Sequence, residues 1–599
     1  MSTKQNYSTL IVMEKSVMAT TQRGSPQFPT MSYTMPASTP EEMDAAIQVL
    51  QTHKDTWAML PVRTRITLLD QLIHDFMAIS ARWVAAGQQA KGIAPNSPLA
   101  GEEWSSGTWP VLKNLTQLRQ SLSDIETHGQ PRIPGPVTAR PDHQVVAQVF
   151  PISAYDRLFF TGITAEVWME PGVTIEGLAS TQALAYREKQ PTGKVALVLG
   201  AGNVASIAPM DILYKLFIEN QVTLLKMNPV NAYLGPLLAE GFRALVDGGF
   251  LRIVYGGASE GSYLCKHGQI DEIHITGSDK TFEAIVFGPG KEGAQRKAEQ
   301  RPLLTRRITG ELGNVSPVIV VPGPWSESDL AYQAAHIVTS LTNNAGFNCN
   351  ASRVIIQHKQ WSQRDALLQK VRKTLAQVPT REAYYPGAQE RQRLFLEDHP
   401  QAELFGTTSD KELPWTLIAD VAATQDNEIC FTTEAFCGLF AETALEAEGI
   451  LDYLDRAVEF ANEELWGTLN ATLIIHPATL KSPEVREALD RAIANLRYGT
   501  IGLNYWAATG YALAVTPWGA FPGHDIYNIQ SGTGVVHNTL MFSRSQKTVL
   551  RAPFRSIPTP PWFVTRGKAA RKVFARLTSM EATPSVLQIP AILWDALRD

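Results

Sequence analysis

The sequence predicts an α/β fold organised around parallel strands, and three observations carry that expectation. Between residues 194 and 321, short β-branched runs alternate with helical patterns, as βαβ units do. The turns after Leu199, Met227 and Thr276 lie where an open parallel sheet binds its ligands, at the carboxyl ends of its strands. Hydrophobic residues make up 44% and charged residues 19% of the 599-residue chain, an ordinary globular balance for several domains or one large interleaved assembly.

Strands are expected at Val195–Leu199, Val222–Met227, Leu251–Tyr255, Glu272–Thr276 and Pro317–Val321, with helices near 209–219, 233–247, 258–266 and 279–287. Ahead of them, from Pro40 to about Gly92, apolar residues such as Ile66, Leu69, Leu72 and Ile73 recur at spacings of three and four, broken once by Pro61. Two or three packed helices are expected there. The stretch from Gln148 to Pro191 reads as mixed structure.

Residues 1–38 read as a polar arm, whose apolar run, Leu10 to Met13, is too short for a secretory signal. The most apolar region, Val195 to Leu213, is interrupted by Gly200, Gly202, Asn203, Pro209 and Asp211, which argues against a membrane span. A net charge of −5 gives no reason to expect a nucleic-acid surface. Four cysteines, none in CxxC spacing, point to a reducing, cytoplasmic setting. There is no HExxH and the histidines and cysteines are scattered, so no metal site is expected. His274, inside a strand-like run, reads as a core or edge residue.

Several loops carry candidate chemistry. "LGAGNVAS" after the first strand has two of the three glycines of a dinucleotide fingerprint. In "ITGSDKT", Gly277 ends a strand and Ser278 or Asp279 is placed to cap a helix, leaving N–H groups for a phosphate; an ordinary capping turn reads the same way. Lys226 of "LLKMNP" stands at a strand end, within reach of ribose hydroxyls or phosphate, or simply solvated. "TGELGNVSP" sets Glu311 just before an apolar strand, flanked by Gly310 and Gly313. A helix then runs from about Asp329 to Leu341, and "NNAGFNCNASR" sets Cys349 among small polar residues that leave a thiol accessible. Cys349 and Glu311 flank that helix, the arrangement for thiol attack on a carbonyl followed by base-assisted hydrolysis.

The order "LGAGN", "LLKMNP", "ITGSDK", "ELGNVSP", "NNAGFNCNASR", "TEAFCGLF", "YGTIGLN" and "QSGTG" resembles the aldehyde dehydrogenase superfamily from about Thr39 to the Lys547 region. The resemblance implies a Rossmann-type parallel-sheet cofactor domain (39–165 and 191–310), an α/β catalytic domain (311–538) and a small bridging β element (166–190 and about 539–556). A C-terminal extension (557–599) goes beyond the family's usual end.

By the same resemblance Cys349 is the nucleophile, Glu311 the base that activates water, and Asn203 an oxyanion donor beside the Cys349 backbone N–H. Lys226 would hold the adenine ribose, Gly277 and Ser278 the pyrophosphate, and Glu434 the nicotinamide ribose, with Phe436 packed by the cofactor. The implied reaction is NAD- or NADP-dependent oxidation of a small-molecule aldehyde to an acid, in a homodimer or homotetramer. A coenzyme A-acylating relative and a catalytically silent homologue are the alternatives.

Pro229 stands where the family often has an acidic residue, Asn314 and Val315 where it commonly has Gly and Lys, and Phe347 where glutamine is usual. Trp506, Trp518, Phe521, His524 and Tyr527 are candidates to line an apolar mouth. In the tail, Val573, Phe574 and Leu577 share one helical face among Arg571, Lys572 and Arg576. Docking on the protein's own surface or on a neighbouring subunit is the favoured fate of that helix, ahead of a membrane surface.

Overall fold

The computed structural model describes residues 35–409 and 411–598; all but the last four residues of the expected N-terminal arm lie outside them. The strands Val195–Leu199 (β1), Val222–Lys226 (β2), Leu251–Val254 (β3), Glu272–Gly277 (β4) and Ile308–Leu312 (β5) pair in parallel in the order β5-β4-β1-β2-β3. Gly532–Thr533 (β6) closes the β5 edge antiparallel. The first four expected strands and the helices between them lie within two or three residues of their expected bounds. The expected strand at 317–321 forms as Ser316–Val320, but in a second sheet. Its place in the first sheet is taken by β5, so Glu311 lies inside a strand rather than just before one.

Helix Pro40–Ala58 packs against the first sheet, and helix Val62–Ala90 against the helices Trp109–His128 and Gly235–Gly241. Thr39 and Glu42 cap the first reciprocally, with Pro40 at its first position. It buries Ile47, Leu50 and Trp57, the indole lying 4.9 Å from the Phe250 ring and 5.4 Å from that of Phe217. A fully buried Trp, Leu or Ile contributes about 2–3 kcal/mol, so this face fixes the helix better than its propensity does.

The second sheet has eleven strands. Its centre is parallel: Thr500–Leu503, Asn470–Ile474, Ser316–Val320, Ser352–His358, Leu439–Leu445 and Trp415–Val421. At one edge Ser545–Arg551 leads into an antiparallel ribbon of Thr164–Met169, Val145–Phe150 and Val137–Ala139. Strand pairing at this ribbon therefore uses 164–169 and 545–551, while 170–190 carries turns and short 3-10 segments.

The two sheets meet at Gly313–Val315, where the chain leaves β5 and enters Ser316–Val320. Helix Glu327–Thr342, capped by Ser326 and Asp329, follows, and its end delivers Cys349 back to the same junction.

The tail docks on the protein's own surface. Helix Gly567–Ala582 buries Ala569, Ala570, Val573, Phe574 and Leu577 against the helix Trp109–His128, where Trp109 lies 5.6 Å from Phe574. Lys113, 3% exposed, is held by Asp156 at 3.1 Å and Glu581 at 3.0 Å. A Cβ at Gly101 would lie 2.5 Å from that of Ala570, so only glycine permits the approach. Among the described residues no helix is long and apolar enough to cross a membrane.

Candidate active site at the junction of the sheets

Cys349 follows a turn in which Asn344 (φ 52°), Ala345 (φ 58°) and Gly346 (φ 78°) are all left-handed. Asn and Gly suit that region; Ala costs about 1 kcal/mol there, so packing must impose it. The imposing group is Arg353, 3% exposed, whose guanidinium donates to the carbonyls of Gly346 and Cys437, each at 2.6 Å, and of Leu439 at 3.2 Å. A Cβ at Gly346 would lie 2.4 Å from the Cys437 carbonyl oxygen.

Phe347 points away from the thiol into an aromatic cluster, 5.1 Å from Tyr384, 5.7 Å from Tyr385 and 6.0 Å from Phe436. Asn348 is consumed within the turn, donating to Asn343 and accepting from Asn344. The two residues before Cys349 thus shape the turn.

Asn203 lies opposite, its side-chain amide donating to the Phe347 carbonyl at 2.9 Å. The Asn203 carbonyl accepts from Tyr384 Oη (2.8 Å), Asn344 Nδ2 (3.0 Å) and Lys91 Nζ (3.3 Å). Lys91 also bonds Glu103 at 2.6 Å and Asn344 Oδ1 at 3.0 Å, which satisfies all three of its donors. Lys91, Glu103 and Tyr384 escaped the sequence reading, because each stands alone in an otherwise helical or loop context and meets the others only through folding.

The Cys349 thiol lies beside the Glu311 carboxylate. Glu311 is 3% exposed and its Oε1 has no hydrogen-bond partner. Burial, then the negative charge of Asp211, push its carboxyl up to about 8. Burial first, and then Glu311 and Glu434, hold the Cys349 thiol well above its usual range. The thiol is half-buried among acidic groups, not the open thiol its small neighbours suggested. At rest it is a protonated thiol beside a carboxyl close to its titration point.

The crevice at the carboxyl ends of the first sheet holds the other expected residues. Lys226 ends β2, 9% exposed, its ammonium lowered to about 8 by burial against the opposing pull of Glu260. Ser278 caps helix Asp279–Phe287 by accepting from the Thr281 N–H, and Gly277 and Ser278 are exposed. Glu434 lies over Gly313, where a Cβ would meet its Oε2 at 1.9 Å, and its buried Oε1 has no partner. Burial pushes the Glu434 carboxyl up to about 8 despite Arg353 and Arg391 nearby. Phe436, held in a left-handed conformation, lies under Arg391. These residues fit a dinucleotide: a cation at one end, exposed N–H groups at a helix start, and a buried carboxylate oxygen awaiting a donor at the other.

Of the aromatic candidates for the mouth, Trp518 is fully buried beside Glu311. Trp506 Nε1 donates to the carbonyl of Asn350, next to Cys349, at 2.9 Å. Phe521, His524 and Tyr527 are half-buried further out. Folding also gathers His399, Glu428 and Cys430, with potential ligand atoms within 4.8 Å of one another, which chain spacing did not suggest. There Glu428 accepts from His399 at 2.7 Å and from the Cys430 N–H at 2.9 Å, an arrangement that caps a short helix.

The aldehyde dehydrogenase family model matches residues 160–393, the stretch holding Asn203, Lys226, Ser278, Glu311 and Cys349 in order. That stretch, about two fifths of the chain, is similar to the aldehyde dehydrogenase family. The chain is 30% identical over 179 residues to 4-trimethylaminobutyraldehyde dehydrogenase A of Danio rerio, covering 30% of this chain and 32% of that one. It is 28% identical over 188 residues to aldehyde dehydrogenase LUC3 of Fusarium sp, covering 31% and 35%. The chain thus spans about a third of the length of the curated relatives it matches. Among solved structures it resembles aldehyde dehydrogenase C of Pseudomonas syringae, complexed with NAD+ and octanal, at a TM-score of 0.60 and 15% identity over 90% of this chain and 94% of that one. It also resembles the NADP-dependent glyceraldehyde-3-phosphate dehydrogenase of Bacillus halodurans, complexed with NADP, at 0.57 and 18% over 89% and 96%. At such identities the likeness is one of fold.

Proposed function

We propose that the protein oxidises an aldehyde to a carboxylic acid, with NAD or NADP bound along the carboxyl ends of the first sheet. The observation that carries this reading is the convergence of the Cys349 thiol and the Glu311 carboxyl at the junction of the two sheets, facing Asn203. Cys349 sulfur adds to the carbonyl carbon while its proton passes to Glu311. The oxyanion is held by the Cys349 backbone N–H and by the amide hydrogen of Asn203 that does not go to Phe347. Such donors contribute about 3 kcal/mol each in a dry site.

A nicotinamide held there would supply the acceptor for the hydride that leaves the Cys349 adduct as it becomes a thioester. Lys226 and Ser278 orient the phosphate and ribose groups, and Glu434 the ribose nearer the thiol. Glu311, once it has shed its first proton, takes one from water; the water attacks the thioester and Cys349 leaves as the acid is released. The antiparallel ribbon ending at Val137–Ala139 supports assembly into a homo-oligomer through its edge. Four free cysteines favour a reducing, cytoplasmic setting.

The test is to follow reduced cofactor from an aldehyde panel, with NAD and NADP, with and without coenzyme A. Acid formation without coenzyme A, lost in Cys349→Ala, is expected. Strict dependence on coenzyme A would overturn hydrolysis, and cofactor binding without turnover across the panel would overturn the enzyme reading.

A further inference from the structure

The face of the first sheet beneath helix Ile207–Leu213 carries polar side chains where a parallel sheet ordinarily buries aliphatic ones. β4 contributes Glu272, His274 and Thr276, and β5 contributes Thr309 and Glu311, with His274 beside Thr309 and Thr276 beside Glu311 in register. All five are buried. Asp211, on the covering helix and 1% exposed, closes this row. Thr276 Oγ1 donates to Asp211 Oδ2 at 2.9 Å, His274 Nε2 lies 3.7 Å from the same oxygen, and His274 Nδ1 is 2.9 Å from Thr309 Oγ1. Removing so many polar groups from water is costly unless they are paired or used.

We propose that Asp211 is a second acid–base group of this site: it accepts from Glu311 the proton that Glu311 receives from Cys349, while Thr276 and His274 hold it in position. The proposal rests on the reading of Glu311 as base. In the first transfer the S–H bond of Cys349 breaks and an O–H forms on Glu311. In the second, that O–H breaks and one forms on Asp211, leaving Glu311 an anion able to take a proton from water. No electrons change hands, and the proton on Asp211 is released to solvent between turnovers.

The surroundings suit the exchange. Burial pushes the Asp211 carboxyl up to about 7, close to Glu311 at about 8, so neither traps the proton. The same burial holds His274 neutral, well below its usual range, so that it does not lock Asp211 as a permanent ion pair. Facing Asp211 are Lys215 from the helical segment Tyr214–Ile218 that continues its own, His274 and Thr276 from β4, Glu311 from β5, and Tyr511 from helix Ala508–Leu513, with Cys349 beyond. Lys215 is already shared between Glu219 and Glu272, and Tyr511 is hydrogen-bonded to Ser206 at 2.7 Å.

The experiment needs neither cofactor nor turnover: the rate of Cys349 alkylation by iodoacetamide is followed against pH in the full chain, by mass spectrometry of the Cys349 peptide. The wild type should show two steps, the titration of a coupled carboxyl pair. Asp211→Asn should show one, moved to lower pH by about one unit because a negative neighbour is gone. Thr276→Val, which removes only the hydroxyl donor, should keep both steps with the lower one moved up, and Asp211→Glu should restore the pair. In turnover, Asp211→Asn should lower kcat about tenfold with KM unchanged. A wild-type profile in Asp211→Asn, with an altered one in Glu311→Gln, would overturn the role of Asp211 alone. A wild-type profile in Glu311→Gln as well would overturn the base reading and this proposal with it.

Discussion

Replacing Glu311 by Gln should make the protein more stable, and increasingly so as the pH rises. In the folded protein the Glu311 carboxyl is pushed from the ordinary value of 4.5 to about 8, chiefly by burial. The folded state therefore binds this proton more tightly than the unfolded chain does. Its contribution is fully present below about pH 4.5 and is lost progressively as the pH climbs to about 8. That interval of about 3.5 pH, at 1.36 kcal/mol each, amounts to about 5 kcal/mol. Gln has nearly the same shape and never ionises. The stability gap between Glu311→Gln and wild type should be near zero in acid, widen by about 1.4 kcal/mol per pH unit from 5 to 8, and level off above. Urea unfolding followed by tryptophan fluorescence, at one-unit intervals from pH 5 to 9, reads it directly. A gap that does not change with pH would refute the buried placement of this carboxyl.

Three further outcomes follow from the same coordinates. Because burial and two carboxyls hold the Cys349 thiol well above its usual range, iodoacetamide should modify it more slowly at pH 7 than a free cysteine, with the rate rising through the alkaline range. Gly346→Ala combines a left-handed φ with a Cβ only 2.4 Å from the Cys437 carbonyl oxygen; a loss of about 2–4 kcal/mol and a lowered Tm are expected, whereas unchanged melting would contradict the turn described. Glu260 sets a carboxylate beside Lys226, which disfavours a 2′-phosphate, so Glu260→Gln should improve kcat/KM for NADP relative to NAD by about three- to tenfold, checked with both cofactors.

Much of the first sheet was legible because its strands are short β-branched runs between helical stretches, and β1 to β4 follow the expected bounds closely. β5 was not, and the reason is physical. "ITGEL" carries Thr309 and Glu311 on one face and Gly310 on the other, so it lacks the apolar run by which a buried parallel strand is read. The same polar face hid the partnership of Asp211, His274 and Thr276. Its trace in the sequence is the alternation Glu272, His274, Thr276 within a strand that parallel pairing should have made apolar throughout. Cys349, Glu311 and Asn203 converge as the motif order implied. The group that fixes the turn, Arg353, left no signal, because the carbonyls it holds come from residues up to 86 positions away.

The docking of Gly567–Ala582 on Trp109–His128 bears on how the chain is made. The two surfaces that bury each other are about 460 residues apart in order of synthesis. At ribosomal speeds of about 5–20 residues per second, the face around Trp109 waits roughly half a minute to a minute and a half for its cover. During that interval an apolar helix face is open to the crowded surroundings of a nascent chain. Synthesis of Gly567–Ala582, rather than assembly of the junction between the sheets, is then the event that seals this flank.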